Sequence, residues 1–561
     1  MIKFRNIKLY AILLVTAASC TKLDESLNSS LSNSQTATAL GSSGVGLLLQ
    51  AAYSDIGGPF NAQDLLFSLE ENAADESLVP TRGGDWDDNG VWRVVHAHTW
   101  TADHSQVLNV FNSLNKINFD ATNVLAFGPS KQQAAEARFI RALSLYYLLD
   151  LYGQYPVRNA GDNLLNAPTV KSGAAAAQFI IDELTAIMND LPATVTSAGQ
   201  ASQAAGKMLL MKCYLNRGAW VNRASPTFAD ADMQQVITLG NSIINSGKYS
   251  LSSEYFKNFD ANNSTGSTEN VFTYVNNEGV AANNSGIHSR WEMTLHYNSY
   301  KPAAPNAGWN GFSTISDFYN SFSSPTQATT GVTQFPNVGA TTNADTLIDS
   351  RIGGRYYPGV TDISGIRPGF LIGQQFDADG TPQKDRKGAP LSFNPTIAAN
   401  MQETGANLEV TGIRVIKYPP DFNNNGAYFT NNPGNDIVIL RYSDVLLMVA
   451  EAYLRQATPN ATSALALVNT LRTARKALPL TTIKLVGSGS VTGTLYDPSA
   501  LLTERGREFF WETQRRTDLI RFGVFGQLWQ YKPSDNPKYL VFPIPNQALA
   551  ANPNLTQNPG Y

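Results

Sequence analysis

Cysteine is nearly absent from this chain. Only Cys20 and Cys213 occur in 561 residues, so a network of disulfides is excluded. Cys213 lies in the helical run Lys207-Met208-Leu209-Leu210-Met211-Lys212-Cys213-Tyr214, with nothing nearby to lower its pKa, and reads as a buried, unreactive thiol. An excess of basic charge is also missing. Lys and Arg number 41 against 45 Asp and Glu, a formal charge of −4 that offers no footprint for nucleic acid. Beyond Cys20 no apolar run approaches the roughly 20 residues that cross a bilayer. There is no Gly-x-Ser-x-Gly, no His-Glu-x-x-His, no phosphate-cradling Gly-x4-Gly-Lys and no Gly-x-Gly-x-x-Gly opening a helix. Glycosidase carboxylates can lie far apart in sequence, so that class stays open.

What the chain does have begins at its first residues. Lys3, Arg5 and Lys8 precede the apolar stretch Ala11-Ile12-Leu13-Leu14-Val15, which is too short to span a bilayer and reads as an export leader. The small residues Ala17-Ala18-Ser19 run directly into Cys20, the arrangement of a bacterial lipoprotein signal in which the thiol is acylated and becomes the new N-terminus. Ala17 stands where a leucine is usual. Loss of residues 1–19 takes away three cations and no anion, which turns the formal charge of −4 into −7. The polar run Thr21-Lys22-Leu23-Asp24-Glu25 then reads as a flexible tether. With Cys20 lipidated, one thiol remains and no intrachain disulfide can form.

Alanine-rich helical blocks alternate with long polar, aromatic, Gly/Asn-rich blocks. Over 131–152 apolar residues recur at helical spacing (Ala137, Ile140, Leu145, Leu148, Leu149, Tyr152), with Gly153 and Pro156 as the stop. Ile180, Leu184, Ile187 and Leu191 mark a second helix before Pro192. Residues 200–216 and 231–245 make another pair, ended by Gly247. Residues 440–455 and 462–477 make a third, with Ala450 and Ala452 where two helices would pack closely. Three such pairs predict a mostly α fold, a tetratricopeptide-like scaffold of helical hairpins stacked without a strict repeat period. Between the second and third pairs lies 248–436, full of Asn, Gly, Thr and aromatics, which predicts a large loop-rich lobe containing short strands. The Ser/Thr-rich segment 321–342 reads as an exposed loop.

Two patterns suggest metals and neither completes a site. His96, His98 and His104 form His-x-His-x5-His, but among Trp92, Val94, Val95 and Trp100 they read as packed or hydrogen-bonded imidazoles. Asp85-Trp86-Asp87-Asp88-Asn89-Gly90 opens like a calcium loop, and Asp421-Phe422-Asn423-Asn424-Asn425-Gly426 nearly does. At the twelfth position, where a bidentate Glu is needed, stand His96 and Asn432. Both segments read as turns that Asp, Asn and Gly favour for their local hydrogen bonds. No metal and no cofactor is assigned.

Two aromatic stretches remain. Trp86, Trp92 and Trp100 fall beside Arg82, Asp85 and Asp87; Trp291, Tyr297, Tyr300, Trp309 and Phe312 fall in the later stretch. A sugar ring has an apolar C–H face and a rim of hydroxyls, so its site needs flat aromatic surface flanked by carboxylates, amides and Arg. Both stretches offer that combination. The competing reading of each Trp is a small local core.

The residues also resemble a known family. The run Ile439-Leu440-Arg441-Tyr442-Ser443-Asp444-Val445-Leu446-Leu447-Met448-Val449-Ala450-Glu451-Ala452 is similar to the characteristic helix of the SusD/RagB family of outer-membrane nutrient-binding lipoproteins. Glu504-Arg505-Gly506-Arg507-Glu508-Phe509-Phe510, leading to Arg516-Thr517-Asp518-Leu519-Ile520-Arg521-Phe522-Gly523, resembles a second family motif. Phe542-Pro543-Ile544-Pro545 and Gln557-Asn558-Pro559-Gly560-Tyr561 resemble a third. Asp75-Glu76, Pro80-Thr81-Arg82-Gly83-Gly84-Asp85-Trp86 and His96-Ala97-His98-Thr99-Trp100 look like the ligand-facing loops of glycan-binding members. Thr513-Gln514 in place of a glycine after Glu512, and Ala548 in place of an acidic residue, depart from the pattern.

The resemblance implies a non-enzymatic lid on a TonB-dependent, SusC-like transporter, anchored by lipid at the outer-membrane surface. On that reading residues 1–19 are the leader, 20–45 the anchor and tether, and 46–561 the body. Within the body the helical hairpins occupy about 131–247 and 439–478, the ligand lobe about 60–105 and 248–436, and the C-terminal motifs 500–561. The expected ligand residues are Asp75, Arg82, Asp85, Trp86, Trp92, Trp291, Tyr297 and Trp309, with Cys20 as the lipid attachment site. The expected ligand is an oligosaccharide. A peptide-binding member of the family is the nearest alternative, followed by a helical glycoside hydrolase and an adhesin.

Overall fold

The structure, a computed structural model, describes residues 33–276, 286–299, 308–322, 349–353, 368–375, 381–420, 433–533 and 535–561. The leader, Cys20, Tyr300, the segment 421–426 and residues 323–342 of the expected Ser/Thr-rich loop lie outside them, and Ser321 and Phe322 at that segment's start are buried. The scaffold is formed by α1 (Asn33–Asp55), α2 (Ser105–Val124), α3 (Lys131–Tyr152), α4 (Gly173–Ile187), α5 (Gln203–Val221), α6 (Asp230–Ile244), α7 (Tyr442–Arg455) and α8 (Ala461–Ala474). Helix α3 shows how local chemistry sets the bounds. Ser130 and Gln133 form a reciprocal capping box at its start, and Gly153, with φ of 72°, ends it in the left-handed region.

From α2 to α8 each helix packs on the next, so the stack is continuous. The contact between α6 and α7 matters most, because 248–436 lies between them in sequence. The inserted lobe interrupts the chain and not the stack. Gly240 permits the close approach, since a Cβ there would lie 2.2 Å from Val449 Cγ2. Two helices of the scaffold escape the periodicity reading. Helix α1 begins at Asn33, inside the stretch read as tether. Helix α2 buries Val107, Val110, Phe111, Leu114, Ile117, Ala121 and Val124 at helical spacing, a pattern that was present to be read.

Strands are short and pair two by two: β1 (Thr81–Arg82), β2 (Gln154–Val157), β3 (Thr169–Ser172), β4 (Asn270–Tyr274), β5 (Gly369–Leu371), β6 (Gly373–Gln374), β7 (Ser392–Phe393), β8 (Gln402–Glu403), β9 (Arg414–Ile416) and β10 (Ile437–Arg441). The third hairpin therefore starts two residues later than predicted. Leu440 and Arg441 belong to β10, whose first three residues are β-branched and which pairs antiparallel with β4. The parallel pair β1–β8 and the bridge between Leu78 and Ser313 bring the early loop segment against the inserted lobe. Much of that early segment is interior rather than loop surface, because every residue over 66–82 is buried.

An unusual concentration of buried charge lies around α7, α9 (Leu501–Phe509) and α10 (Arg515–Arg521), and it includes Glu269 and Arg351 of the inserted lobe. Arg441 meets Glu512 in a bidentate pair at 2.7 and 2.9 Å, and Arg475 meets Glu269 at 2.9 Å and Glu508 at 2.7 Å. Arg521 grips Glu451 at 2.7 and 2.9 Å. Burial alone would raise the Glu504 carboxyl, but the guanidinium groups of Arg351, Arg472 and Arg507 outweigh it and hold the group at about 2. Glu451 is held at about 2 in the same way, with burial opposed chiefly by Arg521 and Arg455. These residues lock the scaffold on which the lobe stands.

Candidate ligand-binding cleft

The turn over 83–90 leaves ordinary backbone space. Gly83, Trp86, Asp88, Asn89 and Gly90 all have φ between 39° and 80°. Trp86, at 60°, is the costly member, because a bulky side chain in this region stores about 1 to 3 kcal/mol of strain. Its surroundings hold it there. The indole Nε1 donates to the Trp309 carbonyl at 2.8 Å. Trp92 and Phe312 meet the ring edge to face, with centroids 5.3 and 5.5 Å away. Gly311 supplies the space, since a Cβ there would lie 2.3 Å from the indole Cε2. The outcome is a half-buried Trp86 beside a half-buried Trp309, centroids 6.4 Å apart.

An open cleft of about 370 Å³ adjoins the two indoles, lined by Asp85, Trp86, Asp88, Tyr297, Gly308 and Trp309. The carboxylates of the turn diverge to separate partners. Asp85 Oδ2 accepts from the Tyr297 hydroxyl at 2.5 Å, Asp87 Oδ1 from Arg93 Nη2 at 2.8 Å, and Asp88 Oδ2 from Trp92 Nε1 at 2.6 Å. Asp85 and Asp88 brace aromatic side chains, Asp87 braces Arg93, and the calcium-like opening is a turn.

Tyr297 is positioned by a chain of contacts. The Arg386 guanidinium sits 3.9 Å from its ring centroid, and Arg386 Nε donates to Glu409 at 2.8 Å. Glu409 also accepts from His296 Nε2 at 2.8 Å, while His296 Nδ1 accepts from the Asn298 amide. Burial pushes His296 down to about 4, so the ring is neutral at neutral pH. Burial first, and then the Asp85 carboxylate, push the Tyr297 phenol up to about 12 and keep it protonated.

Of the residues singled out in the sequence, Asp85, Trp86, Tyr297 and Trp309 line the cleft, and Trp92 supports it from behind with 6% of its surface exposed. Three others do not reach it. Asp75 is buried in a bidentate pair with Arg515, both oxygens at 2.7 Å. Arg82 is buried and donates to Thr411, Ser313 and the Leu408 carbonyl. Trp291 is fully buried in the short helix Ser289–Glu292. Asp88, Gly308, Gly311 and Arg386 were not anticipated. The glycines on either side of Trp309 were a usable sign of tight packing against an aromatic; Arg386 left no local sign.

The histidine pattern resolves into separate packed rings. His96 faces the Ser77 and Gln530 carbonyls, His98 stacks on Phe525, and His104 faces the Val91 carbonyl. Cys213 is buried in α5, and burial pushes its thiol far above the usual range.

A sequence model described as the SusD family matches residues 256–561, more than half of the chain. The chain belongs to the SusD family. The starch-binding protein SusD of Bacteroides thetaiotaomicron is 24% identical over 519 residues, covering 88% of this chain and 85% of that protein. Among solved structures, surface glycan-binding protein A from Bacteroides uniformis superposes with a TM-score of 0.64 at 16% identity, covering 92% of this chain and 99% of the other. Surface glycan-binding protein A from Bacteroides thetaiotaomicron, solved with laminarihexaose, gives 0.63 at 17% identity over 92% and 98%. These likenesses establish the SusD fold. In this family member the C-terminal motif residues Glu504, Arg505, Glu508 and Arg521 are buried ion-pair partners of the scaffold.

Proposed function

We propose that this chain is a cell-surface lipoprotein that binds oligosaccharides in the Trp86–Trp309 cleft and delivers them uncleaved to a TonB-dependent, SusC-like outer-membrane transporter. One observation carries the reading. A strained, half-exposed Trp86 is fixed by its own indole N–H and by Gly311 beside a second indole, with Asp85, Asp88 and Tyr297 at the rim. Such a rigid aromatic floor with a polar rim suits a sugar ring, whose C–H face needs the one and whose hydroxyls need the other. Starch and laminarihexaose, in the names of relatives, make glucans the first class to try.

Binding without cleavage is supported by the commitment of Asp85 and Asp88 to protein donors, which leaves them as braces rather than as an acid and nucleophile across a glycosidic bond. A protein partner is supported by Phe119, Leu164 and Leu165, exposed to 42%, 63% and 94% on α2 and in the loop between β2 and β3. Titration calorimetry with maltoheptaose and laminarihexaose tests the site. Trp86→Ala and Trp309→Ala should each weaken binding about tenfold, the scale of one lost aromatic anchor, in protein that is still folded at the assay temperature. The recovered glycan should be intact. Wild-type affinity in both variants, or cleaved product, overturns the reading.

A further inference from the structure

A second groove, of about 610 Å³, lies behind the short helix Val91–His96. Trp92 faces Trp86 and the first cleft, whereas Arg93, Val94 and Ala97 line the groove together with Asn400, Met401 and Tyr531. The turn over 83–90 and this helix are therefore a shared wall. Arg93, on the groove side, is tied to that turn: its Nη2 donates to Asp87 and its Nε to Thr81 Oγ1, each at 2.8 Å. Its Nη1 has no partner among the described residues and remains available to a hydroxyl.

The groove is built rather than incidental. Met401 and Tyr531 both line it, and both hold positive φ, 55° and 65°, as Trp86 does in the cleft. Independent contacts impose these conformations. The Met401 carbonyl accepts from the Thr81 amide at 2.9 Å, and the Tyr531 hydroxyl accepts from the Ile397 amide at 3.1 Å. Beside Tyr531, Lys532 Nζ donates to the Phe525 and Gln527 carbonyls and lies 3.7 Å from the Trp529 ring centroid. A half-buried tyrosine ring on a fixed loop, near a guanidinium with a free donor, repeats the chemistry of the first cleft.

Resting on the glycan reading of that cleft, we propose that the ligand is an extended chain whose distal units cross Arg93 and lie against Tyr531 and Met401. A ligand engaging both sides must span roughly 10 Å or more, the width of the helix between them. Short and long oligomers should therefore differ. Calorimetry with laminaribiose and laminarihexaose, and with maltose and maltoheptaose, reads the difference. For the glucan that binds, the longer oligomer should bind at least about tenfold more tightly than the disaccharide, the scale of one further aromatic anchor.

Tyr531→Ala should erase that gain while leaving the disaccharide affinity unchanged; Trp86→Ala should weaken both. Because Tyr531 also braces the Ile397 amide, Ala399→Trp provides a second variant. Ala399 is exposed at the groove, and the added indole should block long oligomers alone. Equal affinity for short and long oligomers, or a length gain that survives both groove variants, overturns the second subsite and leaves the cleft standing. Absence of binding by every oligomer overturns the cleft and this inference together.

Discussion

Trp86 holds a half-exposed ring at φ of 60°, whereas Trp291 is fully buried in a four-residue helix. Both are tryptophans among polar neighbours, and nothing local in the sequence separates them. What separates them is tertiary: Trp86 is turned outwards by a carbonyl of Trp309 and by the gap at Gly311, both more than 200 residues away in the chain. Asp75 shows the same limit. Its partner, Arg515, is 440 residues distant, so a buried counter-ion read as a loop carboxylate. Asp75→Asn should leave Arg515 buried and undercompensated, costing about 3 to 5 kcal/mol in a denaturation experiment with glycan affinity unchanged in the folded protein. Weakened binding at full stability would return Asp75 to the ligand site.

At the level of elements, helices with a regular apolar face were legible to within a few residues, α3 to the residue, because periodicity and caps are local signals. The start of α7 was misplaced where strand pairing with β4 overrode the helical pattern. The charge locked between these elements sets a pH profile. Glu451 and Glu504 stand at about 2 against an ordinary 4.5, so their stabilisation is complete above about 4.5 and is lost as pH falls towards 2. Glu71 and Asp436 run the other way. Burial raises both to about 7, from ordinary values of 4.5 and 3.8, so their contribution is full below those values and drains as pH rises through 7. Melting temperature should therefore peak near about pH 5, fall gently towards 7 and fall steeply below about 4. Glu71→Gln should flatten the limb between the peak and neutrality. A profile with no acid limb would show that the buried pairs do not carry the stability assigned to them.

Over the whole molecule, the stack from α2 to α8 passes through the contact of α6 with α7, so a long insertion stands on a rigid support without breaking it. The strained turn and the helix Val91–His96 meet the inserted lobe through the pairing of β1 with β8 and the bridge between Leu78 and Ser313. The proposed retention at the cell surface rests on Cys20. Cys20→Ala should move the protein from the membrane to the soluble fraction, and a wild-type protein without added acyl mass would remove the anchor from the account. The central claim is that the Trp86–Trp309 cleft receives a glycan, and a crystal structure of the protein soaked with laminarihexaose or maltoheptaose tests it most directly. A sugar ring should lie against the Trp86 or Trp309 indole with hydroxyls towards Asp85, Asp88 or Tyr297. A bound oligosaccharide elsewhere, with this cleft empty, would contradict it.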